Sequence, residues 1–568
     1  MPQYLLPLLV TAARVAKANF VRKTRHPLAA QAQFLRSILT AHQNTEYGSK
    51  YGLSDIKTIE QFQARMPILP YSSYEPYIER IAKGEHNILT ADPVVYLSHT
   101  SGSTGKQKFI PVTNRFQNSL RRSNLTSIGF LSDALQARGS QFGKTLIANS
   151  AQLLGQTRGG IDCGPASAGV FRMGKFLYQQ IFAHPAQTPM ISDSLARHYV
   201  CLLFALQDSS MRAIAANYPM LILRIAQYLE HYAEDLIQDL ETGTIADWLI
   251  LEPDIRASLE QQWFPNPRRA DQLKKILRSE GRLIPKQAWQ DLSVIVTARG
   301  GTSDFYFDRF ADYFADTPVF GAAYASAEGN IGICPDLDCD GNIPAIESGF
   351  FEFVPQDQWG VDHPKTLLAT EVKPGEYYRV LMTNYSGFYR YDIGDVVEVI
   401  GFYEQAPLIV FRYRVGGLLS STFEKTTEFH ATQVMQALQR EFGVSLEDFC
   451  ITLSQEDFPA QYLVNIELSA GQTIDDPQAF LFSFERWLQE VNLIYAANRQ
   501  HQIPSPRLRI LAPGSFEILR QRQVQKGIPD SQLKFPHISE DRVFLAGLTV
   551  LQEFHLQETS IDDRSSDL

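Results

Sequence analysis

Four short β-rich runs, Val94 to Leu97, Thr145 to Ala148, Leu292 to Thr297 and Val319 to Tyr324, are separated by long stretches of helical patterning. In Leu221 to Leu240, Ile225, Leu229, Tyr232 and Leu236 recur at the spacing of one helix face. Strands that alternate with helices predict an α/β domain, because intervening helices can cover the faces of the sheet. Ahead of the first run, residues 1 to about 90 pattern as helices with polar turns, punctuated at their end by Pro67, Pro70 and Pro76. The texture changes after about residue 400. Tyr462 to Leu468 alternates like a half-buried strand, Phe480, Phe484, Trp487, Leu488 and Val491 mark one helix face, and alternation resumes at Leu508 and Ile510. This predicts a smaller α+β domain, with the division drawn between residues 1–414 and 415–568. The pair Gly416-Gly417 suits either an interdomain hinge or a plain turn.

Bulk properties exclude several classes. The chain has 568 residues, 44% of them hydrophobic, and a formal net charge of −10, whereas a general nucleic-acid binder needs a basic stripe. Five dispersed cysteines, Cys163, Cys201, Cys334, Cys339 and Cys450, do not form a disulfide or zinc framework and predict free thiols in a reducing cytoplasm. No apolar run approaches the ~20 residues of a membrane span. Tyr4 to Val10 lacks the preceding basic residue of a signal peptide and reads as an amphipathic helix with Arg14, Lys17 and Arg22 on its wet side. A soluble protein without nucleic-acid or membrane partners is expected.

The chemistry concentrates in four segments. The first is Thr100-Ser101-Gly102-Ser103-Thr104-Gly105-Lys106, whose small residues leave backbone N–H groups uncovered for an anion. It is not the P-loop of kinases, which needs glycine where Thr100 stands and Ser or Thr where Gln107 stands. A surface turn is the alternative. The second runs from Gly321 through Tyr324, Ser326 and Glu328 to Gly329, where a short strand meets small residues and one carboxylate; ligands bind at such strand ends. In the third, Gly387 to Val397, Asp395 could turn its carboxylate to vicinal hydroxyls such as those of a ribose. The fourth, Lys526 to Pro536, holds Lys534 between turn residues.

In this order the segments resemble the motifs of the acyl-adenylate-forming superfamily: its phosphate loop with Lys108 at the motif lysine, its Y-G-x-T-E at Tyr324 to Glu328, and its ribose aspartate at Asp395. Within it, the fuller resemblance is to the auxin-responsive-promoter family of acyl acid amido synthetases. Thr45-Glu46-Tyr47-Gly48 is similar to an early T-E-Y, and Tyr389-Arg390-Tyr391 with Gly394-Asp395-Val396 to Y-R-Y-R-x-G-D-V. Leu418-Leu419-Ser420 with Glu424-Lys425-Thr426, Pro513 to Phe516 and Gln532 to Pro536 extend the match to the C-terminal part. Three positions depart from the pattern: Ala327 replaces a hydroxyl residue, Asp392 a basic one, and His537 an arginine.

The resemblance implies a large N-terminal domain and a mobile C-terminal domain that bind ATP and a carboxylic acid. By the family's chemistry, the acid would be activated as acyl-AMP and the acyl group passed to an amine, an amino acid. A thiol acceptor such as coenzyme A, and an adenylate-binding protein without turnover, are the alternatives. It further implies that Thr100, Ser101, Gly102, Ser103, Thr104 and Gly105 hold phosphate, with Lys108 offsetting charge. Tyr324, Ser326 and Asp395 hold the nucleotide, Glu328 holds Mg²⁺, and Lys534 meets the charge that develops in adenylation.

Overall fold

The computed structural model describes residues 5–101, 107–152, 155–166, 175–422, 424–499, 502–526, 528 and 533–556. They divide into two compact units, one up to Arg412 and one from Tyr413.

In the first unit the strands Thr145–Ile147, Ala213–Ala215, Val294–Val296 and Val319–Phe320 lie side by side in that order, every pair parallel. Parallel neighbours require crossovers, and the helices Ser194–Leu206, Pro219–His231 and Pro267–Glu280 lie in the intervening chain. The strands are apolar at nearly every position, as a sheet covered on both faces demands. All of helix Ser194–Leu206 except Leu195 is buried, so it too is covered on every side.

Two of the expected runs behave differently. Val94–Ser101 is a strand, but it belongs to another sheet, antiparallel to Gln107–Thr113 and parallel to Asp162–Pro165. The short connection to Gln107 permits a hairpin and no crossover. Val319–Phe320 stops before Tyr324, and the chain re-enters as Ala323–Ser326 in a three-stranded antiparallel sheet with Gly329–Ile333 and Ile343–Pro344. The switch occurs at Ala322, which has φ +48°, a left-handed conformation rare for a residue with a Cβ. Its carbonyl accepts the Ser127 hydroxyl at 2.7 Å and the Cys334 N–H at 3.3 Å, which holds it there. The stretch Leu221 to Leu240 is two helices, broken at Tyr232, whose ring stacks on Trp248 at 5.4 Å. Pro76 lies inside the helix Tyr71–Ala82 instead of ending one.

The helix Leu5–Thr24 packs on Asn114–Ala137 at Gly129, where a Cβ would stand 2.4 Å from the Ala13 carbonyl. That close approach lets Arg14 and Lys17 reach Asp133 at 2.9 and 2.7 Å, while Arg22 stays exposed. The unit is completed by an antiparallel sheet of Phe350–Pro355, Tyr377–Thr383, Tyr391–Tyr403 and Ala406–Arg414.

In the second unit, Leu446–Leu453, Tyr462–Leu468, Arg507–Leu511 and Val550–His555 form one mixed sheet, packed by the helices Glu428–Phe442 and Pro477–Val491. Tyr462–Leu468 is buried at every position but the last, so the expected half-exposed face is absent. Its polar side chains are satisfied internally: Asn465 donates to the Cys450 and Leu463 carbonyls, and Glu467 accepts the N–H groups of Gly514 and Phe516. All five cysteines are free. Among the described residues no helix is long and apolar enough to cross a membrane.

His42, fully buried at the end of the helix Pro27–His42, accepts the Ala91 N–H through Nδ1 at 3.0 Å. Burial pushes its pKa down to about 4. The folded state therefore resists protonation that the unfolded chain accepts below about 6.5. His42 thus contributes stability that is fully present above that pH and lost as pH falls toward 4, about 3 kcal/mol in all. Urea unfolding at pH 7 and pH 4.5 is expected to show that loss, and His42→Gln, which keeps an acceptor, is expected to reduce it.

Candidate active site

Asp395 lies in the strand Tyr391–Tyr403 just after Gly394, whose φ of +80° suits a residue without a Cβ. The aspartate is buried, and its Oδ2 accepts the Tyr324 hydroxyl at 2.7 Å. Tyr324 comes from the strand Ala323–Ser326, so this bond joins the second and third segments singled out in the sequence. Glu328 sits in the turn after that strand. Its side-chain Oε1 accepts the Tyr391 hydroxyl at 3.0 Å, and its carbonyl accepts the Asn384 amide at 2.6 Å. Glu328 is thus buried and held at Oε1 and at its carbonyl, by Tyr391 of the neighbouring antiparallel sheet and by Asn384 just beyond the strand Tyr377–Thr383.

The hairpin that carries the first segment comes close to the same carboxylate. Tyr71 donates to the Phe109 carbonyl at 3.0 Å and accepts the Phe109 N–H at 2.9 Å. Burial, with Glu75 and then Glu328 adding to it, pushes the Tyr71 phenol up to about 12. Lys108 Nζ stands 5.0 Å from the centre of the Tyr71 ring, a cation–π distance. Thr100 pairs with Lys108 and Ser101 with Gln107 along the hairpin backbone. The loop itself, with Gly102, Ser103, Thr104 and Gly105, lies outside the described residues.

The buried hydroxyls that lack a partner among the described residues include Ser326 Oγ, and Thr297 Oγ1 just beyond the parallel strand Val294–Val296. An unsatisfied buried polar atom is costly, and both positions suit a polar ligand at the carboxyl ends of the strands. After Thr297 the chain turns through Gly300 and Gly301, with φ +87° and +61°; a Cβ on Gly301 would meet the Phe411 ring at 2.7 Å. Asp304 accepts the Gly300 N–H at 3.1 Å, and burial pushes its carboxyl up to about 6. Among the described residues no three His, Cys, Asp or Glu side chains gather into a metal cage. A single carboxylate such as Glu328 suits a hard cation that takes its remaining ligands from phosphates and water.

Lys534 belongs to the second unit and is exposed. Its neighbours alternate, with Leu533, Phe535 and His537 buried. The three departures have structural settings. Ala327 is half-buried against the core. Asp392 forms an ion pair with Arg379 on the adjacent strand and accepts the Gly394 N–H at 2.9 Å. His537 is fully buried and stacks on Phe449 at 4.2 Å.

Sequence reasoning passed over Tyr71, Asn384 and Tyr391. Tyr391 lies inside the Tyr389-Arg390-Tyr391 motif, whose pattern points only to the later aspartate. The early Thr45-Glu46-Tyr47-Gly48 motif proves to be structural: Thr45 caps the helix Glu46–Tyr51, and Tyr47 stacks on Tyr389 at 5.2 Å and 10°.

Family models match the chain in three consecutive blocks: the GH3 family N-terminal domain over residues 16–319, the central domain over 343–414 and the C-terminal domain over 429–543. A jasmonoyl–L-amino acid synthetase, JAR4 of Nicotiana attenuata, is 28% identical, with 89% of this chain and 90% of the relative aligned. Indole-3-acetic acid-amido synthetase GH3.8 of Oryza sativa subsp. indica is 27% identical over 92% and 90% of the two chains. Among solved structures, the GH3.15 acyl acid amido synthetase superposes with a TM-score of 0.85 at 23% identity, covering 96% of this chain and 98% of that one. A 2-hydroxyisobutyryl-CoA ligase in its postadenylation state superposes at 0.53 with 13% identity, covering 91% and 90%.

The Asp392–Arg379 pair is mostly shielded from solvent, so reversing one charge leaves two like charges together. Asp392→Arg is expected to destabilise the protein by about 3 kcal/mol, and the swapped double variant Asp392→Arg/Arg379→Asp to recover at least half of it. Urea midpoints of the parent, both single variants and the double variant measure the coupling.

Proposed function

The chain belongs to the GH3 family, and from that membership we propose an ATP-dependent acyl acid amido synthetase, which joins a carboxylic acid to an amino acid. The observation that carries the reading is the pair of hydrogen bonds, Tyr324 to Asp395 and Tyr391 to Glu328, which bring separate adenylation motifs into one buried cluster.

The chemistry runs in two steps. A carboxylate resists attack by an amine because oxide would have to leave. In the first step its oxygen attacks the α-phosphorus of ATP, the bond to the β-phosphate oxygen breaks, and pyrophosphate departs, leaving acyl-AMP. In the second step the amine attacks the acyl carbon, AMP leaves with the anhydride oxygen, and the amine gives up a proton. The first step depends on positioning and on neutralising phosphate charge.

In this reading the backbone and hydroxyls of Thr100 to Gly105 receive the phosphates, and Lys108, held over Tyr71, offsets their charge. Asp395, whose Oδ2 accepts the Tyr324 hydroxyl, binds the ribose hydroxyls. The Ser326 hydroxyl, without a partner among the described residues, offers a further donor. Glu328 would hold Mg²⁺, which supplies charge neutralisation at the phosphates. Lys534, from a C-terminal domain spanning 415–568, is the cation proposed for the charge that develops in adenylation. Free thiols at all five cysteines suit a cytoplasmic location. Jasmonate and indole-3-acetate, named for the relatives, are the first acids to try.

Purified protein with ATP, Mg²⁺ and an active acid is expected to exchange labelled pyrophosphate into ATP, and to yield an amide by mass spectrometry when amino acids are added. A thioester formed only with coenzyme A would instead assign a thiol acceptor; nucleotide binding without exchange for any acid would assign a non-catalytic protein. Glu328→Gln and Asp395→Ala are each expected to cut exchange by about a hundredfold, with both variants still folded. Full activity in both would place the nucleotide elsewhere.

A further inference from the structure

Glu328 stands in a two-residue turn, Ala327-Glu328, between the strands Ala323–Ser326 and Gly329–Ile333, and such a turn does little to fix the direction of a side chain. The direction is set from outside. Tyr391, from the adjoining antiparallel sheet, donates to Oε1 at 3.0 Å, and Asn384, just beyond the strand Tyr377–Thr383, donates to the backbone carbonyl at 2.6 Å. The Tyr391 ring cannot swing away, because Phe388 stacks on it at 4.6 Å and Tyr74 meets it edge-on at 6.0 Å. The backbone on either side is tied as well. The Tyr389 carbonyl accepts the Tyr74 hydroxyl at 2.6 Å, the Tyr389 N–H donates to the same oxygen at 3.2 Å, and Asp392 donates its N–H to the Leu69 carbonyl at 3.0 Å.

We propose that Tyr391 is a positioning residue for adenylation: its hydroxyl fixes the carboxylate plane of Glu328, so that the carboxylate meets the cation of the metal–nucleotide complex already oriented. The inference rests on the role given above to Glu328. The physical basis is general. A carboxylate free to rotate loses orientational freedom when it ligates a cation, whereas one held by a buried phenol has lost it during folding. The hydrogen bond also takes up one of the two oxygens, which favours a single-oxygen contact and suits the octahedral demands of a small hard cation. Tyr391 touches neither nucleotide nor acid in this account; it acts through Glu328.

Mn²⁺ serves as a paramagnetic probe, its binding to the full chain followed by electron paramagnetic resonance with a non-hydrolysable ATP analogue present. The parent is compared with Glu328→Gln and Tyr391→Phe; the latter keeps the ring between Tyr74 and Phe388 and removes only the donor. Tyr391→Phe is expected to weaken Mn²⁺ binding about tenfold, with analogue binding in the absence of metal unchanged and with the Mg²⁺ requirement of pyrophosphate exchange raised in parallel. A purely structural role would lower the thermal midpoint without this metal-specific change. If Glu328→Gln weakens Mn²⁺ binding and Tyr391→Phe does not, positioning by Tyr391 is overturned while Glu328 keeps its role. If Glu328→Gln leaves Mn²⁺ binding intact, the role of Glu328 fails and the inference with it. Should Tyr391→Phe not fold, Phe388→Leu, which removes the ring stacked on Tyr391 and so loosens its hydroxyl, takes its place in the same comparison, and unchanged Mn²⁺ binding there overturns the proposal.

Discussion

The buried ion pair between Arg390 and Glu352 is the constraint on which the arrangement around the candidate site depends. Arg390 has φ +46°, a left-handed conformation that costs a residue with a Cβ roughly 1–2 kcal/mol, and both side chains are almost wholly removed from water. Those costs are offset because every donor of the guanidinium is used. Nε and Nη2 bind the two oxygens of Glu352 at 3.0 Å each, Nη2 also reaches Thr366 Oγ1, and Nη1 reaches the carbonyls of Gln63 and Met66. A lysine could not reproduce this fork, having one nitrogen and no plane. The two carbonyls belong to the end of the helix Ile59–Arg65 and the residue after it, so one side chain ties the N-terminal helices to the sheet that bears Asp395.

Tyr389 and Tyr391 flank that arginine, and their side chains go to different tasks. Tyr389 stacks into the cluster of Tyr47 and Tyr74, while Tyr391 reaches Glu328. The cluster is wholly buried, and its packing resists change in ring position by even a fraction of an ångström. A motif of aromatic and basic residues beside a nucleotide aspartate therefore reads as scaffold and site at once. Tyr47, Tyr389 and Arg390 build; Tyr391 and Asp395 present.

This division explains what was legible in the sequence. The alternation of strands and helices gave the α/β class, since a buried parallel sheet needs apolar strands and covering helices, and both are written locally. Sheet membership was not legible for Val94–Ser101 or for the run through Ala322. Which sheet a strand joins depends on connection length and on a left-handed alanine held by Ser127, neither of which leaves a trace in periodicity. At the site, the carboxylates were found because glycine and strand patterns surround them. Tyr71 and Asn384 were not, because an isolated tyrosine or asparagine carries no signal until the tertiary fold supplies the atom it touches.

The departures from the family pattern show how a motif position can change its chemistry without disturbing its neighbours. Asp392 carries a negative charge at a position usually basic, and Arg379 across the strand pair supplies the opposite one, so the pair is locally neutral. His537 is a harder case, since it follows Lys534 closely. Its carbonyl accepts the Ile451 N–H at 2.8 Å, its N–H reaches Glu428 at 2.8 Å, and Nε2 lies 3.3 Å from Asp448. The bridge between Ile451 and Ile538 sets this segment at the edge of the strand Leu446–Leu453, and the burial of Leu533 and Phe535 on either side leaves Lys534 exposed. The lysine's placement thus follows from backbone register and apolar anchors. The ring at 537 need only fill its buried space against Phe449, which an imidazole does with fewer donors to satisfy than a guanidinium.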